Sequence, residues 1–271
     1  MKLPRKPEPL PFDIADGTDT ESPVDQFRMP LMEHLRELRR RLIIALAATL
    51  VGMVGCLAFV NQIWDFLVAP MNDALVSTGR GTMAITAPLE GFMTLMKVGA
   101  FAGVLLASPV IFYQLWKFVA PGLYPKEKRF VLPLVASSSI LFLAGASFGY
   151  FVIFRYAFPF FIQVTSEDVQ AVLSMDSYLS VAVRLLLAFG TCFELPVVAW
   201  FLARIGLIDH RDMVKFFKYS VVVIFAVSAF LTPPDVLSQF MMAVPLLILY
   251  GLSIGIVRLA TTKVREPAPD A

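Results

Sequence analysis

Long apolar runs separated by short polar connections dominate the chain from residue 42 onward. The first covers 42–60, the second 91–116 with Lys97 inside it, and the third 131–154, which carries Ser137, Ser138 and Ser139. The fourth covers 178–203 and holds Arg184 and Glu194, and the last two, 219–231 and 238–257, are shorter. A helix needs about 20 apolar residues to cross ~30 Å of hydrocarbon, so the pattern predicts six membrane-spanning helices. Glycines and prolines inside the runs do not count against this, because membrane helices tolerate both. The short final runs barely reach across and predict local thinning of the bilayer.

Between the first two runs, Ile63, Trp64, Phe66, Leu67, Met71 and Leu75 predict a short amphipathic helix at the interface, broken near Pro70. With the acidic stretch from Asp168 to Asp176 it forms a cap rather than a catalytic domain. Pro109, Pro196 and Pro245 fall in the second, fourth and sixth runs, and a proline removes a helical hydrogen bond and kinks the helix. Three bent helices of one polarity favour a curved bundle; ordinary membrane-helix prolines are the plainer reading.

Composition agrees. Hydrophobic residues make up 58% and charged residues 16%, and the mean hydropathy is +0.73, which excludes a soluble domain. Placement of the basic residues says more than the net charge of +2. Arg36, Arg39, Arg40 and Arg41 precede the first run, and Lys117, Lys126, Lys128 and Arg129 follow the second. Arg204, Arg211, Lys215 and Lys218 separate the fourth from the fifth, and Arg258, Lys263 and Arg265 follow the sixth; Arg80 and Arg155 fall on the other side. The positive-inside rule then puts both termini in the cytoplasm. The expected fold is an all-α polytopic membrane protein, six transmembrane helices in a curved, concave bundle with both termini cytoplasmic. Residues 1–30, rich in Pro and Asp, form a disordered cytoplasmic tail, 31–258 the membrane domain, and 259–271 a second cytoplasmic tail. Cys56 and Cys192 lie inside apolar runs without metal-ligand spacing, so neither a metal nor a disulfide is expected.

Two carboxylates stand among basic residues at the cytoplasmic edge. Glu37 lies in His34-Leu35-Arg36-Glu37-Leu38-Arg39-Arg40-Arg41, and Glu127 in Tyr124-Pro125-Lys126-Glu127-Lys128-Arg129. A carboxylate so placed either neutralises its neighbours or receives a cationic peptide, and bidentate pairing with arginine is the strong form of the second. Glu194 is roughly 15 Å of helix from Arg204, deep enough that a charge there is costly and marks function. Arg184 and Lys97 read as interfacial anchors that snorkel outward. Asp235 reads as a cap for the last helix, while Thr232 and Gln239 offer polar groups to a partner helix. His34 and His210 have no nucleophile beside them, and no phosphate-cradling or metalloprotease motif is present, so no enzyme chemistry and no cofactor are expected.

The chain resembles the TatC family, the multispanning subunit of the twin-arginine protein translocase. The resemblance is carried by 33–41, by Ser108-Pro109 with 113–123, by Glu127-Lys128-Arg129 and by Phe189-Gly190 leading to Phe193-Glu194-Leu195-Pro196. It continues through Leu231-Thr232-Pro233-Pro234-Asp235 and Gln239, covering about 30–258 in order. It implies a non-enzymatic receptor and core subunit in the bacterial cytoplasmic (inner) membrane that binds Arg-Arg signal peptides of folded proteins, driven by the proton-motive force. Carried over residue by residue, Glu37 and Glu127 become arginine partners, supported by Leu38, Arg39 and Phe118. Glu194 matches an intramembrane glutamate, and Thr232 and Gln239 match positions where single-span TatA-type and TatB-type subunits dock. Pro70 and Asp235 match outer-loop positions. Other copies of the chain and the lipid bilayer are further partners; no nucleic acid is implied. The alternative reading is a proton- or ion-coupled small-solute carrier with Glu194 as its proton site, six spans splitting into inverted halves.

Overall fold

The computed structural model describes residues 31–79, 81–119, 131–164, 172–231 and 236–262. The expectations for 1–30, Glu127, Thr232 and Asp235 fall outside them. The elements in order are α1 (Leu31–Leu57), α2 (Val60–Thr78), β1 (Thr82–Ala84), α3 (Glu90–Val119) and α4 (Val131–Phe148). A π-helical turn (Gly149–Ile153) joins α4 to α5 (Phe154–Val164); β2 (Val172–Ser174), α6 (Met175–Cys192), α7 (Leu195–Arg204), α8 (His210–Leu231) and α9 (Val236–Thr262) follow. Six stretches among the described residues are long and apolar enough to span a membrane: Met32–Leu57, Glu90–Val119, Val131–Val164, Met175–Arg204, His210–Leu231 and Val236–Leu259. Among the described residues, 31–39 belong to one unit and 40–262 to a second, to which the packing below belongs.

Two helices outrun their apolar cores. Helix α1 begins at Leu31 and carries the basic segment as helix, since Leu, Glu and Arg are all strong helix formers. Helix α8 begins at His210, where Asp209 and Asp212 close its first turn: the Asp212 side chain accepts from Asp209 N at 3.2 Å and Met213 N donates to Asp209 O. Its 22 residues span ~33 Å. Its polar first turns lengthen the helix but not the apolar run within it, and it is the apolar length that is matched to the bilayer.

The core joins α2, α3, the π turn, α5, α6, α8 and α9 around Phe154, Phe158, Leu179, Phe189, Met242 and Leu246, all fully buried. Much of the outward surface is equally apolar, with Val51, Val222 and Phe230 exposed, as a lipid-facing helix surface requires.

Close helix approach depends on glycine. A Cβ on Gly103 of α3 would meet the backbone of α1, 2.6 Å from Met53 N and 2.9 Å from Thr49 O. On Gly145 of α4 it would lie 2.5 Å from Phe189 O of α6. Small residues that admit a neighbouring backbone are the usual means of packing helices in lipid.

Two of the helical prolines, Pro70 and Pro109, are absorbed by donated hydrogen bonds. Pro70 lies inside α2 without ending it, contrary to the expected break. It deprives the carbonyl of Phe66, four residues back, of its helical donor; the Tyr150 hydroxyl donates to that oxygen instead. The Tyr178 hydroxyl donates to the next carbonyl, Leu67 O, at 2.6 Å. In α3, Pro109 frees Leu105 O, and the Ser108 hydroxyl donates to it at 2.8 Å. At Pro196 the helix does break, between α6 and α7.

At the end of the bundle that α2 covers, β1 and β2 pair in parallel, Thr82 opposite Val172 and Ala84 opposite Ser174. Glu90, 7% exposed, pins this ribbon. Its Oε2 accepts from Thr86 N, from the Thr86 hydroxyl at 2.8 Å and from Ala87 N at 3.1 Å; its Oε1 accepts from the Ser174 hydroxyl at 2.6 Å and Asp176 N at 3.0 Å. Lys97 pairs with Asp176 beside it, so Lys97 is tied within the protein rather than only anchored at the interface.

Two predictions follow from packing and polar satisfaction. Gly103→Ala and Gly145→Ala should each cost ~1–3 kcal/mol through overpacking, seen as lowered midpoints of denaturant unfolding in detergent. Gly251→Ala, where nothing lies within 4 Å of the added carbon, should not lower the midpoint. Glu90→Gln presents an amide N–H₂ to groups that donate, so at least one backbone N–H loses a charged acceptor, a bond contributing about 1.5–3 kcal/mol. Faster hydrogen exchange at the Thr86, Ala87 or Asp176 amide would register it; unchanged exchange at all three would show that the carboxylate is dispensable.

Candidate functional site

Glu37, Leu38 and Arg39 are consecutive on α1, so their side chains fan around the helix at about 100° steps. Glu37 is half-buried, and Leu38 and Arg39 are exposed. The three share a turn but not one face. Phe118, half-buried, occupies the last turn of α3, two residues past the run expected to end at 116. The basic edge is thus presented on a formed helix, and a rigid element positions a charge better than a loop does.

Glu194 sits in the break between α6 and α7, 8% exposed. Phe193 N donates to Phe189 O at 2.9 Å and Glu194 N to Thr191 O at 3.1 Å, so the last turn of α6 tightens before Pro196 starts α7. One carboxyl oxygen, Oε1, is buried without a hydrogen-bond partner among the described residues. Beside the carboxyl lies the Ser138 hydroxyl of α4, which accepts from Trp116 Nε1 of α3 at 2.9 Å. Trp116 in turn packs edge-on against Phe201 of α7, ring centres 4.9 Å apart. Sequence reasoning singled out Glu194 but not Trp116 or Ser138. Their signal was faint: a serine within an apolar run and an indole whose N–H needs a partner when buried. An apolar cavity of about 380 Å³ opens next to the break, lined by Ser137, Leu141, Pro196 and Trp200.

Gln239 is half-buried on α9 and its Nε2 donates to Phe225 O of α8 at 3.0 Å, holding those two helices together. Arg184 is exposed on α6, with no hydrogen bond or ion pair among the described residues. Pro70 lines a cavity against the π turn. Among the described residues no group of three or more His, Cys, Asp or Glu side chains is arranged to hold a metal ion.

Ser138→Ala should leave the Trp116 N–H buried and unmatched. In a membrane protein an interhelical bond of this kind contributes roughly 0.6–1.7 kcal/mol. A lower unfolding midpoint with a shifted Trp116 emission, measured with the other tryptophans replaced, is the expected outcome.

The chain matches a family model described as Sec-independent protein translocase protein (TatC) over residues 33–245. A TatC protein from Desulforapulum autotrophicum is 47% identical over 231 residues, covering 85% of this chain and 84% of the relative. One from Campylobacter jejuni is 45% identical over 241 residues, covering 89% and 98%. A crystal structure described as the twin-arginine translocase receptor TatC superposes with a TM-score of 0.73 at 39% identity, covering 84% of this chain and all of that one. With sequence and fold matched along most of its length, this multi-pass membrane protein belongs to the TatC family, whose work is protein transport rather than enzyme catalysis.

Proposed function

We propose that the chain is the membrane receptor and core subunit of a twin-arginine translocase. It binds the Arg-Arg signal peptides of folded cargo and nucleates a translocon driven by the proton-motive force. The observation that carries this reading is Glu37, a carboxylate among arginines on the exposed helical extension of a membrane span, in a chain similar to a solved receptor of that description. Glu37 and Glu127 each take an arginine of the peptide; Leu38, Arg39 and Phe118 shape the surroundings. Arginine is favoured over lysine because only the guanidinium fork pairs bidentately with a carboxylate.

The lopsided Lys and Arg distribution supports placing the chain in the bacterial cytoplasmic membrane with both termini inside. Single-span TatA-type and TatB-type subunits and further copies of the chain complete the assembly, with Thr232 and Gln239 as contact positions and Glu194 offering its buried oxygen to a polar group. Asp235 shapes the last outer turn, and Pro70 shapes α2 from within the helix. Family membership lends the small-solute carrier no support.

Hydrogen bonds to charged groups contribute about 1.5–3 kcal/mol each, roughly a ten- to hundredfold change in affinity. Glu37→Ala or Glu127→Ala should therefore weaken binding of an Arg-Arg signal peptide by that factor while the protein stays folded. Photocrosslinking from both positions, with an Arg-Arg peptide and its Lys-Lys variant, tests the assignment. Crosslinks that fade with Lys-Lys support it; equal crosslinking to both peptides would return the two glutamates to charge balance.

A further inference from the structure

A second cavity, of about 560 Å³, lies between α2 and the π turn with α5, remote in sequence from the basic edge. Its lining includes Pro70 and Asp73 of α2, Tyr150 and Phe151 of the π turn, and Arg155 of α5. Asp73 and Arg155 are both exposed, and neither makes a hydrogen bond or ion pair with any described residue. One cavity thus presents an acid and a base that do not neutralise each other. The Tyr150 hydroxyl is already spent on Phe66 O, and that of Ser77 on Ala74 O at 3.0 Å. The two charges are the polar groups left to meet a ligand.

Depth in the membrane narrows the ligand. Arg155 lies 24 residues beyond Val131, where its continuous span begins, or ~36 Å of helix against ~30 Å of hydrocarbon. The cavity therefore opens at headgroup level, on the face opposite the basic connections. Phe151 is 62% exposed beside it, an aromatic surface of the kind found at membrane interfaces. Guanidinium binds phosphate strongly, and a carboxylate lining the same cavity suits a primary ammonium. An anionic headgroup would satisfy Arg155 and be repelled by Asp73.

We propose that this cavity binds the zwitterionic headgroup of a phosphatidylethanolamine from the leaflet it faces, phosphate on Arg155 and ammonium on Asp73. The lipid would bridge α2 to α5 and hold the covering helix against the bundle at the membrane surface.

Native mass spectrometry of the full chain, released from nanodiscs holding equal amounts of dioleoyl phosphatidylethanolamine and dioleoyl phosphatidylglycerol, tests this. The wild type should retain phosphatidylethanolamine at least fivefold over phosphatidylglycerol. Asp73→Asn should abolish that preference, and Arg155→Gln should reduce retention of both lipids. Equal retention of the two lipids by the wild type overturns the proposal without any variant needing to fold. So does retention unchanged in both variants. Soluble glycerophosphoethanolamine, added in excess, should displace the lipid only partly. If it binds lipid-free protein as tightly as the lipid does, the ligand is a soluble amino-phosphate and the lipid assignment fails.

Discussion

In hydrocarbon every backbone N–H and C=O must find a partner inside the protein, and this fold depends on how it meets that demand at its prolines. Pro109 releases Leu105 O, which the neighbouring Ser108 hydroxyl reclaims. Pro70 releases Phe66 O, which the Tyr150 hydroxyl reclaims from another element. Where a local or distant donor is supplied, the helix continues. At Pro196 the chain gives up helical geometry instead, and the polar residue in that gap is Glu194. The same proline chemistry thus leaves the helix continuous at Pro70 and Pro109 and broken beside Pro196.

The break gathers polarity where the surroundings are least able to solvate it. The end of α6 and the start of α7 face each other across the break, opposite ends of two helix dipoles meeting inside a span. Glu194, Ser138 and Trp116 lie around that meeting point, drawn from three separate stretches of chain. The remainder of the core is largely aliphatic and aromatic, and Gly103 and Gly145 touch neighbouring backbones.

The six spans were legible in the sequence because lipid imposes the same apolar requirement on every residue of a run. Helix ends were less so: the basic extension of α1 and the first turns of α8 are polar, and only their propensities and caps reveal them as helix. The β1–β2 ribbon, three residues a side, is too short to leave a periodic signal. Glu90 escaped notice because two of its donors, Ser174 and Asp176, are 84 and 86 residues away. The same distance problem explains Pro70. Read locally it ends a helix; the hydroxyl that rescues the helix belongs to Tyr150, 84 residues beyond the freed carbonyl. Glu194 stood out because a carboxyl in an apolar run needs a reason, but its neighbours looked like ordinary core.

The bond between Phe66 and Tyr150 has an evolutionary corollary. The Tyr150 hydroxyl meets α2 at the carbonyl that Pro70 leaves without a helical donor, so the two positions are coupled in inheritance. With Pro70 in place, losing the hydroxyl strands a carbonyl. With an amide-bearing residue at 70, the helix closes on itself and the hydroxyl becomes the group in need of a partner. Substitutions at the two sites should therefore be strongly non-additive, and a lineage that replaces one is released, or compelled, to change the other.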